Sequence, residues 1–96
     1  MRYNIVLAPE AVDDLKGLKA NVRAEVKVGM EKHLRHEPTK VSKSRIKRLK
    51  GLKRPQYRLR VNDVRVFYDV SQDTVEVLAI VEKLAAVEWL ERHGER

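Results

Sequence analysis

Three arginines, Arg58, Arg60 and Arg65, lie in a stretch where apolar residues recur at every second position, and that spacing decides which way they point. The stretch reads Tyr57-Arg58-Leu59-Arg60-Val61, then Asn62-Asp63, then Val64-Arg65-Val66-Phe67-Tyr68-Asp69-Val70. Strict alternation is the period of a half-buried strand, and two such strands joined by two turn-forming residues make a β-hairpin. Asn-Asp is a weaker turn signal than Asn-Gly, because Asp accepts a positive φ less readily than Gly. With those two residues as the loop, Val61 faces Val64, Arg60 faces Arg65, Leu59 faces Val66 and Arg58 faces Phe67. Opposed residues share a face of the sheet. One face then carries Tyr57, Leu59, Val61, Val64, Val66, Tyr68 and Val70 and must be core. The other carries Arg58, Arg60 and Arg65 around Phe67. Like charges set directly across a ladder destabilise it, so this arrangement implies an anion to meet them. A guanidinium stays protonated and cannot act as an ordinary general base, so the chemistry is that of binding and stabilising negative charge.

The same sign of charge continues upstream. From Thr39 to Gln56 there are eight Lys and Arg and no Asp or Glu: Lys40, Lys43, Arg45, Lys47, Arg48, Lys50, Lys53 and Arg54. The chain's net charge is +7, so this one run exceeds the whole and the remainder sums to −1. A concentrated basic patch beside an arginine face implies a polyanionic partner, bound through counterion release and steered electrostatically. Lys43, Arg45, Lys47, Arg48, Lys50, Lys53 and Arg54 are accordingly candidate nucleic-acid contacts. The plainer reading is a solvated loop that keeps the protein in solution.

The remaining elements must position this face. Arg2 to Leu7 alternates, with Tyr3, Ile5 and Leu7 on one side, and reads as a first strand. Ala8-Pro9-Glu10 opens a helix, since Pro is tolerated in the first turn and Glu10, Asp13 and Asp14 suit the positive end of its dipole. Ala11, Leu15 and Leu18 share its apolar face. Asn21 is a candidate N-cap for a second helix, with Val22, Val26, Met30 and Leu34 spaced by four and Pro38 ending it. Val12, Ala24 and Val28 lie off these stripes. Val41 to Leu52 reads either as a helical turn or as an irregular connection into a strand near Arg48-Leu49, with a turn at Lys50-Gly51-Leu52. Val75 to Val81 is a further strand, with Val75, Val77, Ala79 and Val81 towards the core and Leu78 and Ile80 beside Phe67 and Arg65. Leu84, Val87, Trp89 and Leu90 begin a C-terminal helix that ends near Gly94. The fold class is α+β: an N-terminal strand and helical hairpin packed on an antiparallel sheet, with a C-terminal helix, in one domain spanning 1–96.

Ninety-six residues suffice for one core without staples. Cysteine is absent, so neither disulfides nor thiolate metal sites hold the fold. His33 and His36 lack a third ligand at a plausible spacing and read as surface residues near a helix C-terminus, not as a metal site. The apolar runs are too short to span a membrane, and the N-terminus lacks the apolar segment of a signal peptide, so the expected location is cytoplasmic.

The order of strand, helical hairpin, Leu49-Lys50-Gly51, Tyr57-Arg58-Leu59-Arg60-Val61, Asp63-Val64-Arg65-Val66-Phe67-Tyr68 and the strand Val75–Val81 resembles the RelE/ParE superfamily of bacterial toxins. For RelE-type members the resemblance implies a RelE-like fold and a toxin that enters the ribosomal A site. It implies cleavage of mRNA without metal or other cofactor, by attack of a ribose 2′-OH. By position, Arg58 and Arg60 match two catalytic lysines of the family and Arg65 a catalytic arginine, while Lys83 is the one cation available just after the last strand. The implied partners are a cognate antitoxin, the ribosome and its mRNA, and operator DNA only through the antitoxin complex. The stretch Glu82-Lys83-Leu84-Ala85-Ala86-Val87-Glu88-Trp89 carries neither the Arg nor the Tyr that RelE-type enzymes usually supply there. That departure keeps two alternatives open: a ParE-like toxin acting on DNA gyrase, and a non-toxic member serving as an antitoxin-bound regulator.

Overall fold

A computed structural model describes residues 1–96. The hairpin forms in the register that alternation dictates. Strand β3 (Tyr57–Val61) runs antiparallel to β4 (Val64–Ser71), with Val61 against Val64, Arg60 against Arg65, Leu59 against Val66 and Arg58 against Phe67. The left-handed backbone falls on Asn62, at φ 52°, and not on Asp63. Asn tolerates that region better than most residues, so the two-residue loop closes without Gly.

Around this hairpin the sheet has five strands in the order β1-β5-β4-β3-β2. Strand β2 (Ile46–Arg48) resolves the segment that the sequence leaves open, pairing antiparallel with β3 as a three-residue edge. Strand β1 (Asn4–Leu7) forms the other edge and runs parallel to β5 (Thr74–Glu82), with Asn4 against Thr74 and Leu7 against Val77. The last strand is therefore interior, not a free edge.

Helix α1 (Pro9–Gly17) and helix α2 (Ala20–Leu34) cover one sheet face. Ala11 from α1 and Val26, Met30 and Leu34 from α2 join Ile46, Leu59, Val61, Val64, Val66, Tyr68, Val75, Val77 and Ile80 in one buried cluster. Tyr68 is fully buried there, and its hydroxyl donates to Pro38 O at 2.7 Å. Asn21 does not cap α2. The helix begins at Ala20 after Lys19, and the joint between the helices is made by Arg23, whose guanidinium donates to Leu15 O, Lys16 O and Leu18 O at 3.2, 3.3 and 2.9 Å. One side chain thus satisfies carbonyls that the end of α1 leaves free.

Strand β5 departs from simple alternation. Tyr68 pairs with Val77 but Phe67 pairs with Ala79, so Leu78 is an extra residue, a β-bulge. The bulge reverses the phase: Val75 and Val77 face the helices, then Ile80 does, and Ala79 and Val81 turn to the arginine face. Leu78 and Ile80 therefore do not sit beside Phe67 and Arg65 as alternation expects. Asp14 of α1 accepts the Ile80 N–H at 2.9 Å just past the bulge. Asp14→Ala leaves that amide without its charged acceptor and is expected to cost about 1–3 kcal/mol in urea unfolding. Unchanged stability would mean that water takes over the bond.

Helix α3 (Lys83–His93) crosses the opposite sheet face, where the Trp89 ring stacks on Phe67 with centroids 5.0 Å apart and planes 7° apart. It buries none of its residues fully, and Leu84 and Val87, expected on its packed stripe, are 95% and 67% exposed. Both ends are tied by backbone: Lys83 N–H donates to Asp63 O at 2.7 Å, and Glu95 exchanges bonds with Arg54. No helix is long and apolar enough to cross a membrane.

Candidate nucleic-acid interface

Strand pairing gathers four cations on the face that α3 only partly covers. Lys47 of β2 lies opposite Arg58 of β3, and Arg60 lies opposite Arg65 of β4. Directly opposed residues hold their Cβ atoms about 4.5–5.5 Å apart, and diagonal neighbours about 7–8 Å. No carboxylate forms an ion pair with any of the four. Their mutual repulsion is visible in acidity: burial first, then Arg65 and Arg60, pulls the Arg58 guanidinium below its ordinary pKa. Burial and then Arg60 do the same to Arg65, with Asp63 opposing. The Nε of Arg58 is buried without an acceptor. Positive charge that is partly desolvated, unpaired and held by a rigid sheet can accept an anion without rearranging.

The four differ in what holds them. Arg60 and Lys47 are exposed, Arg58 is half-buried, and Arg65 is only 8% exposed. Arg65 donates from Nη1 to Asn62 O at 2.8 Å and to Val64 O at 3.2 Å, so it also braces the hairpin turn. It is not the freely solvated strand residue that alternation suggests. Phe67, fully buried, is the floor, and Trp89 roofs it. Sequence reading placed Trp89 in a helix but not on this ring, since nothing local fixes where a terminal helix docks.

The basic run divides. Lys47 joins the arginines. Arg48, opposite Tyr57, points to the other face and lies over that ring, 5.0 Å from its centroid. Arg54 pairs with Asp69 at 3.2 Å and Glu76 at 2.9 Å, so its charge is already met. Asp69 also accepts the Gln56 N–H at 2.7 Å. Lys43, Lys50 and Lys53 are exposed, and Arg45 sits at the start of β2, its carbonyl accepting the Arg60 N–H at 2.8 Å. Lys83 heads α3 at the hairpin turn, on the stripe that continues through Val87 and Leu90 at helical spacing. Those two line a shallow depression with Leu52.

Burial raises the Asp69 carboxyl above its ordinary pKa of 3.8, against the opposing pull of Gln56 and Arg54. A carboxyl whose folded pKa is raised binds its proton more tightly in the native state, so its contribution to stability is largest at low pH and falls as pH rises through that interval. A carboxyl-detected NMR titration should place its midpoint above that of an unperturbed Asp; a midpoint at or below 3.8 contradicts the burial seen here.

Residues 5–83 match the profile of a family described as the ParE toxin of the type II toxin–antitoxin system parDE. No curated protein sequence is significantly similar to the chain. Among solved structures, it is similar to the toxin–antitoxin complex RelBE2 of Mycobacterium tuberculosis at 22% identity and a TM-score of 0.70, over 85% of this chain and 99% of that one. It is similar to the RelE–RelB complex of Pyrococcus horikoshii at 23% identity and 0.69, over 86% and 97%. The YoeB dimer of Staphylococcus aureus follows at 19% identity and 0.62, over 82% and 94%. At these identities the likeness is one of fold.

Proposed function

Because the chain belongs to the ParE toxin family of type II toxin–antitoxin systems, we propose that it is a toxin that stops translation by cleaving mRNA on the ribosome and is held silent by a cognate antitoxin. The observation that carries this reading is the cluster of Lys47, Arg58, Arg60 and Arg65, four cations on one sheet face without a carboxylate partner. RNA can cleave itself once its phosphate is clamped. The ribose 2′-hydroxyl gives its proton to water as its oxygen bonds to the adjacent phosphorus, the bond to the 5′-oxygen breaks and that oxygen takes up a proton, and a 2′,3′-cyclic phosphate remains. Charge grows on the phosphoryl oxygens along this path, and guanidinium groups fixed beforehand stabilise that growth. Arg58, Arg60 and Arg65 take this role. Lys83, at the head of α3, is the candidate to assist the departing oxygen.

The exposed Lys43, Lys50 and Lys53 supply contacts to ribosomal RNA, and the action takes place in the cytoplasm. The antitoxin neutralises the same basic face, and operator DNA is reached only through that complex. Solved relatives captured as RelB–RelE complexes support such a partner.

A second reading, inhibition of DNA gyrase, is favoured by the absence of Arg and Tyr between Glu82 and Trp89. Induced expression followed by primer extension on abundant transcripts separates the two. New 5′ ends within translated codons are expected. Intact transcripts together with gyrase-dependent DNA breaks would sink the nuclease reading.

A further inference from the structure

The cationic face does not stop at the sheet edge. Arg45 continues the ladder beyond β2, its carbonyl taking the Arg60 N–H at 2.8 Å. Its side chain belongs to the other side of the molecule, where it lines two adjoining depressions with Lys32 and His33 of α2. Their volumes are about 380 and 270 Å³. Neither Lys32 nor Arg45 has a carboxylate partner. Two acids share the lining: Glu25 accepts Asn62 Nδ2 at 2.8 Å and Glu37 pairs with Lys40 at 3.6 Å, so that Lys32, Lys40 and Arg45 stand against two carboxylates. His33 is less basic than usual, chiefly because of burial, with Arg45 and Lys32 adding to the effect. An excess of positive charge thus continues from Arg65 and Arg60, past the β2 edge at Arg45, to Lys32.

We propose that Lys32, His33 and Arg45 form a second phosphate site, on the helical side of the sheet, which holds the continuation of a single RNA strand whose scissile phosphate lies on the arginine face. The proposal rests on the reading of that face as an RNA site and adds to it a path around the edge strand. Side-chain cations in concave sites bind the backbone without regard to sequence. The site therefore sets how much RNA is gripped, not which bases are read.

The test compares two labelled single-stranded RNAs, a tetranucleotide and a dodecanucleotide, on the full-length protein and on the Lys32→Gln/Arg45→Gln double variant. Both positions are exposed, so an unchanged thermal midpoint checks the fold. The double variant should bind the longer RNA about tenfold or more weakly, with the log–log salt slope reduced by about 0.7 per lost contact. The tetranucleotide should bind as before, and Arg45→Lys should keep most of the longer RNA's affinity. Undiminished binding of the dodecanucleotide overturns the proposal, as does equal weakening of both lengths. Loss of antitoxin affinity with RNA binding intact also overturns it and assigns the surface to the protein partner. Arg60→Ala keeps the two ideas separate: if neither RNA notices that change, the arginine face itself is not an RNA site.

Discussion

Arg60→Ala is expected to lower mRNA cleavage on programmed ribosomes by about two to three orders of magnitude, the usual cost of removing one fixed donor from a developing oxyanion. The thermal midpoint should hold or rise slightly, because Arg60 is exposed, makes no side-chain hydrogen bond or ion pair, and faces Arg65 across the ladder. The loss should appear in the single-turnover rate and less in ribosome affinity, since the interaction strengthens as charge builds on phosphorus. Arg65→Ala is the instructive contrast. It removes a cation from the same face and also the donor that braces Asn62 O and Val64 O, so activity and stability should fall together. Full cleavage by the Arg60 variant would remove that residue from the site.

The largest structural effect is expected at Gly29. A Cβ there would stand 2.7 Å from Val61 Cγ2 and 3.4 Å from Cγ1. Val61 is buried on β3, and a β-branched side chain has little freedom to turn away. Overpacking of this kind costs about 1–3 kcal/mol. In Gly29→Ala the helix gains back about 1 kcal/mol of propensity, so the net change is small or moderate. Gly29→Val brings two more methyl groups and a smaller propensity gain, and a loss near 3 kcal/mol is expected. For a chain of this length each kcal/mol moves the thermal midpoint by about 4–8 °C. Adding Val61→Ala should restore part of the loss; equal destabilisation with and without Val61→Ala would show that the two residues do not meet.

The hairpin could be read from sequence because its alternation is clean: apolar residues occupy one face only, so a one-residue slip would expose the whole core set. The arginine cluster was legible for the same reason. The next strand was legible as a strand, Val75 to Val81 falling within β5, but its facing beyond the bulge was not. Val75, Val77, Ala79 and Val81 compete with Leu78 and Ile80, both phases are apolar, and the pattern carries no information about where a bulge will switch them. Strand β2 stays open in the sequence because three residues cannot establish a period. Within the basic run, sequence could count charges but not see their partners. Arg54 finds Asp69 and Glu76 across the fold, and Arg48 finds a ring on the face opposite to Lys47. Trp89 belonged visibly to a helix, yet its ring partner Phe67 could be named only once that helix was placed.

The parallel pairing of β1 with β5 has a consequence for the order in which the protein can be made. Asn4 pairs with Thr74 and Leu7 with Val77, so the two strands are joined only after the whole helical hairpin and the β2–β4 segment between them. Contacts so far apart in sequence form late, since a long loop must close before they repay its entropy. The helical hairpin can form early, but its apolar stripe has no complete sheet to lie on until β5 is present. The arginine face needs β4 and β5 beneath it and α3 over Phe67. A chain that has not yet joined β5 and α3 to the hairpin therefore lacks the assembled cationic face.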